Sequence, residues 1–123
     1  MIQEVTTASK ALVVTAADTA VALGSGDVDV LGTPRVVALC EETAVAALAG
    51  LLPEGSTTVG TSITVDHLAA TPVGGSVTAT ATVTAIDGTT ISFSLSVVDG
   101  ETVAARGAHT RAVVDRDSFE ASL

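Results

Sequence analysis

The sequence predicts an α+β fold in which one long apolar helix packs against an antiparallel sheet. Residues 35–49 carry apolar side chains at helical spacing, whereas the second half of the chain alternates apolar and hydroxyl residues with a period of two. Two Asp-Gly pairs separate the alternating segments, as expected of tight turns. We therefore expect the 123 residues to form one domain, residues 1–123.

The helix is expected to follow Thr33-Pro34 and to occupy residues 35–49. Thr is a competent N-cap and Pro is favoured in the first helical turn. Gly50 and Pro53 supply the stop. Because most faces of this segment are apolar, the helix should be largely buried. The apolar residues at helical spacing are Val36, Val37, Cys40, Ala44, Ala47, Leu48 and Leu51.

Four strands are expected after Pro53, because the hydrophobic period changes there from helical to two. They cover residues 57–68, 77–85, 90–97 and 102–114, and Asp87-Gly88 and Asp99-Gly100 mark two of the turns. The segments upstream of the helix are weaker. Residues 11–15 and 19–23 are strand candidates, residues 24–27 a loop and residues 116–123 a tail.

This order of elements is typical of the hot-dog fold, in which a curved antiparallel sheet wraps around a central helix. Ketosteroid-isomerase-like cones usually have more helix before the sheet, and ferredoxin-like folds need two crossover helices. The single long helix fits neither.

The amino-acid composition limits which molecules the protein is expected to bind and where it is expected to be located. The formal net charge of -9 argues against nucleic acid or an anionic membrane, since both are bound through Lys and Arg. Aromatic residues make up only 2%, so the core of small side chains is thin, and burial against a second copy in a homodimer is expected. With Cys40 alone, no intrachain disulfide can form, and a cytoplasmic location is expected. No leader, membrane span or metal-ligand pattern is recognised.

A few polar residues in apolar surroundings are candidates for chemistry. Glu41 lies on the helix and would be a base or nucleophile if partly desolvated, or a solvated edge residue beside Glu42. His67 ends the first long strand and could be a general base or a structural residue. Thr33 is expected first to be a helix cap, and its hydroxyl could also activate or position a reacting group. Gly60 interrupts a strand, which marks a bulge or a close backbone approach whose N–H could polarise a carbonyl.

Three of the five basic residues, Arg106, Arg111 and Arg116, lie close in sequence and could form a phosphate site or surface ion pairs. His109 is expected to be structural. Cys40 is expected to be inert packing in the buried helix.

Residues 28–114 resemble the fluoroacetyl-CoA thioesterase family of the hot-dog thioesterases. The resemblance rests on Leu31-Gly32-Thr33-Pro34-Arg35 before the helix with Glu41, on Val59-Gly60-Thr61, and on the segment 67–74 that begins with His67. It implies that Thr33, Glu41 and His67 form the catalytic set. It further implies that the backbone N–H of Gly60 faces the thioester carbonyl and that Arg111 lies near the active site.

The implied activity is hydrolysis of an acyl-CoA thioester, with coenzyme A as part of the substrate and no cofactor or metal. Family members carry phenylalanines before the helix that gate the acyl pocket, whereas residues 21–30 contain no aromatic side chain. The expected substrate is therefore a small or medium acyl-CoA without fluoroacetyl selectivity. The alternatives are a non-catalytic acyl-CoA or small-ligand binding module and a hot-dog hydratase.

Spacing predicts that Gly60 and His67 of one chain do not serve the same site. Gly60 and His67 would lie roughly 23 Å apart on a regular strand. Thr33 and Glu41 would lie about 12 Å apart on a regular helix. A two-fold dimer with sites at the subunit interface would bring residues of both subunits together.

Overall fold

The computed structural model describes residues 2–123 and has the predicted α+β architecture. One sheet in the order β1-β3-β4-β5-β2, with every neighbouring pair antiparallel, packs against the central helix α2. The strands are β1 (Thr7–Val13), β2 (Ser56–His67), β3 (Ser76–Asp87), β4 (Thr90–Asp99) and β5 (Thr102–Asp115). The α-helices are α1 (Ala20–Leu23), α2 (Thr33–Ala47) and α3 (Arg116–Ala121), and a short 3-10 turn covers Ala16–Asp18.

The middle of the sheet follows directly from the period-two alternation. On β3 and β4 the apolar side chains point to the core, while the Thr and Ser residues between them lie on the other face. The predicted turns are confirmed, with Gly88 and Gly100 at φ 60° and 59°. The buried apolar residues of the two strands are Val77, Ala79, Ala81, Val83, Ile91, Phe93, Leu95 and Val97.

Helix α2 is buried as predicted, but its start differs. Gly32 is the N-cap residue, with φ -77° and ψ 143°, and Thr33 is the first helical residue. The prediction that Thr33 caps the helix is therefore wrong. Gly32 lies so close to α1 that an added Cβ would stand 3.1 Å from the Ala20 backbone. The helix begins after this contact, and the Thr33 hydroxyl is left free for another partner.

Three peripheral predictions also need correction. The first strand begins earlier than residues 11–15, at Thr7. Residues 19–23 are not a strand, because the Thr19 hydroxyl accepts a hydrogen bond from the Ala22 amide and Gly24 ends a short helix at φ 69°. The C-terminal tail also contains a helix, because the Asp115 carboxylate caps the Ser118 amide at 2.9 Å.

Strand β2 forms one edge of the sheet and contains the bulge expected near Gly60. Gly60 pairs with Arg111 and Ser62 pairs with Thr110, so Thr61 is the extra residue. Before the bulge, even-numbered residues of β2 face the helix; after it, odd-numbered residues do. Gly60 and His67 therefore face the same side although they are seven positions apart.

Candidate active site

The N-terminus of α2 and the end of β2 bring Thr33 and His67 together. Thr33 Oγ1 lies 2.8 Å from His67 Nδ1, and the Thr33 side chain is exposed. Among the described residues, His67 Nε2 is buried and has no hydrogen-bond partner. The pair borders a cavity of about 270 Å³ whose walls include Ala20, Ser25 and Val30. One ring nitrogen of His67 is thus positioned by Thr33, and the other is available to a bound group or partner.

Arg111 is the centre of a second polar cluster, on the inner face of β5. Its side chain is 8% exposed, and it is held from two strands and the helix. Nε donates to the Thr58 hydroxyl at 2.9 Å, and Nη2 donates to the Thr58 carbonyl at 3.2 Å. Nη1 donates to Glu41 Oε2 at 3.1 Å. The guanidinium therefore fixes the Glu41 carboxylate, which is otherwise 41% exposed, in one place.

His109 belongs to this cluster as well, two residues before Arg111 on the same face of β5. His109 Nδ1 lies 2.7 Å from the Ser62 carbonyl oxygen, and Nε2 lies 3.2 Å from Arg111 Nη1. The ring stacks on Phe93 with centroids 5.9 Å apart. Burial is the largest effect and lowers the pKa of His109; the hydrogen bond to the Ser62 carbonyl opposes it, the Arg111 charge lowers the pKa further, and the Glu41 charge raises it least. The ring is thus neutral at neutral pH.

Gly60 also belongs to this cluster, because the space that a side chain would fill at this position is occupied by Glu41. A Cβ at this position would stand 2.5 Å from Glu41 Oε2 and 3.3 Å from His109 Cε1. The absence of a side chain lets the carboxylate rest directly against the β2 backbone. The expected close approach at Gly60 is therefore present, and its partner is Glu41.

The residues predicted for the site thus fall into two groups within one chain. Thr33 and His67 form one pair, while Glu41, Gly60 and Arg111 form the other with His109. The structural interpretation of His109 was incomplete. Its spacing of two from Arg111 on a strand was the signal, since residues i and i+2 share a face.

The three arginines do not form a cluster. Arg111 points to the core, whereas Arg106 lies five positions earlier on β5 and is exposed on the opposite face. Arg116 lies on α3, where its Nη1 is 3.7 Å from Glu120 Oε1. The alternative of surface ion pairing fits Arg116 only.

Cys40 lies beside Glu41 in α2 but points into the core, where it is 1% exposed. Burial raises the pKa of its thiol to about 11, so the thiolate is scarce at neutral pH. Within residues 2–123, no helix is long and apolar enough to cross a membrane. The same residues include no group of three or more His, Cys, Asp or Glu side chains placed to hold a metal ion.

Comparison with known proteins gives consistent matches. The family model described as FlK, fluoroacetyl-CoA-specific thioesterase, matches residues 14–117. The fluoroacetyl-CoA thioesterase of Streptantibioticus cattleyicolor is 38% identical over 95 residues, which cover 77% of this chain and 68% of that protein. A solved structure of the fluoroacetyl-CoA thioesterase FlK has a TM-score of 0.93 at 31% identity, covering 99% of this chain and 95% of that one.

A hot-dog-like protein from Thermanaerovibrio acidaminovorans is similar too, with a TM-score of 0.89 at 28% identity, covering 97% of this chain and 88% of that one. Fold and matches together define a hot-dog thioesterase, a thioester hydrolase. The chain belongs to the FlK family of fluoroacetyl-CoA-specific thioesterases. The predicted fold and the resemblance are both confirmed.

Proposed function

We propose that this protein is a homodimeric acyl-CoA thioesterase whose two active sites each take residues from both subunits. The observation that carries this proposal is the separation of the catalytic set into two clusters, each incomplete alone. Thr33 and His67 lie beside a cavity. Glu41 is held by Arg111 against Gly60. Variants of the related FlK have been solved in complexes with acetyl-CoA and with fluoroacetate and CoA, which supports a coenzyme A thioester as substrate.

The free edge of β2 supports the arrangement of the dimer. An edge strand presents unpaired backbone groups that a second copy can bond. If two β2 strands pair antiparallel about Thr64, with Thr61 as the extra residue of the bulge, Gly60 of one subunit comes opposite His67 of the other. Both residues face the helix side of the sheet because of the bulge at Thr61. Each site would then combine Thr33 and His67 of one subunit with the Glu41 cluster of its partner.

The chemistry follows from these groups. In one route Glu41 and His67 take a proton from water, whose oxygen attacks the thioester carbonyl carbon, and the C–S bond breaks to release coenzyme A. In the other, a Glu41 oxygen attacks the carbonyl carbon, the C–S bond breaks to release the coenzyme A thiolate, and water then hydrolyses the mixed anhydride to the free acid and the Glu41 carboxylate. In both routes the Gly60 N–H stabilises the oxyanion and Thr33 positions His67. Neither route needs a cofactor beyond the coenzyme A of the substrate.

The acyl range is proposed to be small or medium acyl groups without fluoroacetyl selectivity. The cavity beside Thr33 and His67 is walled by small residues such as Ala20, Ser25 and Val30, and residues 21–30 supply no aromatic gate. Ser25→Phe should therefore reduce hydrolysis of hexanoyl-CoA far more than that of acetyl-CoA. Equal effects on both substrates would contradict this assignment of the acyl pocket. The free thiol of Cys40 supports a reducing, cytoplasmic location.

The proposal is tested by steady-state hydrolysis of acyl-CoAs from acetyl to decanoyl, with His67→Ala and Glu41→Ala beside the wild type. We expect hydrolysis by the wild type and a large loss in both variants. Binding of acyl-CoA without hydrolysis would instead identify a binding module, and full activity in both variants would exclude these site residues. Light scattering at micromolar concentration should give twice the 12.1 kDa chain mass. A monomer would contradict the shared site.

A further inference from the structure

Within the proposed thioesterase site, we infer that His109 is a positioning residue that holds the Arg111 guanidinium, and through it the Glu41 carboxylate, by accepting a hydrogen bond. His109 itself does not contact the reacting atoms in this scheme. It acts as a neutral acceptor behind Arg111.

The tautomer of His109 follows from its partners. A backbone carbonyl can only accept, so Nδ1, 2.7 Å from the Ser62 oxygen, must carry the proton. In a neutral ring Nε2 then carries a lone pair. The nearest donor to that lone pair is Arg111 Nη1 at 3.2 Å. The contact is therefore an Arg111 N–H donating to His109.

The same Nη1 atom also donates to Glu41, at 3.1 Å. One nitrogen with two hydrogens thus serves both His109 and the carboxylate, and the bond to His109 fixes the direction of the other. On the far side of the guanidinium, Thr58 accepts from Nε and Nη2. Without the His109 acceptor, Nη1 would lose one of the two partners that define its plane, and Glu41 would lose a fixed donor.

The surroundings of His109 hold its ring in place. Phe93, which is 2% exposed, stacks on it at an interplanar angle of 27°. The Ser62 carbonyl belongs to the bulge that separates Gly60 from Ser62 in the register with β5. The bulge thus places Gly60 against Glu41 and also supplies the carbonyl that selects the His109 tautomer.

Two substitutions separate the donor function of His109 from its acceptor function. His109→Asn places an amide near the position of Nδ1, where it can donate to Ser62 but cannot reach Arg111. His109→Gln extends to the position of Nε2, where its oxygen can accept from Arg111. Both variants lose the ring stacked on Phe93, so both should lose stability, and a purely structural role would cost His109→Asn no more activity than His109→Gln.

The test measures acyl-CoA hydrolysis and thermal unfolding for the wild type and both variants. We expect kcat of His109→Asn to fall about tenfold with KM within about twofold, and kcat of His109→Gln to stay within about threefold of wild type. Equal losses in the two variants, or a smaller loss in His109→Asn, would overturn the inference.

A second measurement does not depend on activity. The chain has four arginines, and their guanidinium nitrogens can be followed by NMR after ¹⁵N labelling. Arg111 should show two separate Nη signals in the wild type and in His109→Gln, merging by faster rotation in His109→Asn. Arg35, held by Asp18 and Glu42, is the internal reference. Unchanged Arg111 signals in His109→Asn would contradict the positioning role. A wild type without hydrolysis would instead contradict only the proposed function.

Discussion

The two polar clusters differ in how completely one chain satisfies them. Around Arg111 each group has partners within the chain, from Thr58 on one side to Glu41 and His109 on the other. Around Thr33 there is one hydrogen bond, to His67, and the second ring nitrogen of His67 has no partner among the described residues. A buried polar atom without a partner is costly, so such an atom usually marks a place that another molecule completes.

This contrast indicates that the two clusters have different functions. The Arg111 cluster is preorganised and fixes a carboxylate before any ligand arrives, as electrostatic catalysis requires. The pair of Thr33 and His67 borders an open cavity, and His67 Nε2 is available to form a hydrogen bond with a ligand. If the subunits share each site, one subunit contributes the Arg111 cluster with Glu41, and its partner contributes Thr33 and His67.

The largest effect is expected at the fixed cluster. Glu41→Gln keeps the shape of the side chain but removes the charge of the proposed base or nucleophile. We expect kcat to fall by about 10³-fold. Steady-state hydrolysis measures this, with Glu42→Gln, on the next helical residue, as the matched control. A Glu41→Gln variant within threefold of wild type would remove Glu41 from the mechanism.

Gly60→Ala should give the next largest effect. The added Cβ would stand 2.5 Å from Glu41 Oε2, and because that atom ends a flexible side chain, the carboxylate can move away at little cost in stability. A displacement of this size should lower kcat by about 10²-fold. Gly26→Ala, where the nearest atom is at an ordinary 3.4 Å, is the control for stability and activity. Unchanged hydrolysis by Gly60→Ala would show that the Glu41 position is not critical.

A smaller effect is expected at Thr33. Thr33→Val removes the hydroxyl that bonds His67 and should lower kcat about tenfold, whereas Thr33→Ser keeps the hydroxyl and should stay near wild type. Since Gly32 and not Thr33 is the N-cap residue, the free energy of unfolding should change by less than about 0.5 kcal/mol. Chemical denaturation checks this. A loss of about 1 kcal/mol would restore the capping role.

The smallest effect on activity is expected at Cys40. With a pKa of about 11 in the folded chain, the thiol stays protonated where an unfolded thiol, near 8.5, ionises. Its contribution to the free energy of unfolding is complete below pH about 8.5 and is lost as pH rises to about 11, by about 3 kcal/mol. Denaturation at pH 7 and 10.5 should show this fall in the wild type. The fall should be reduced in Cys40→Ala, whose kcat should be unchanged.

Sequence patterns predicted the fold because its signals are local. The alternation on β3 and β4 needs no knowledge of the partner strands, and each Asp-Gly pair forms its own turn. The cap at Thr33 was assigned wrongly for a nonlocal reason. Gly32 packs against Ala20 and Leu23 of α1, and this contact sets where α2 begins.

The candidate site was predicted only in part. The resemblance named Thr33, Glu41 and His67, and the structure places them in two clusters on the helix side of the sheet. The resemblance could not reveal that Thr61 is the extra residue of a bulge, because the register of β2 depends on its pairing with β5. For the same reason the hydrogen bond between His109 and the Ser62 carbonyl could not be predicted from the sequence.

The shared active site is tested most directly by mixing two inactive variants. A heterodimer of one His67→Ala subunit and one Glu41→Ala subunit, isolated through two different affinity tags, has one intact site if each site draws Thr33 and His67 from one subunit and Glu41 from the other. We predict that this heterodimer regains about half of the wild-type kcat per dimer while each homodimer stays inactive. A heterodimer as inactive as its parents would show that Glu41 and His67 act within one chain, and would contradict the shared site.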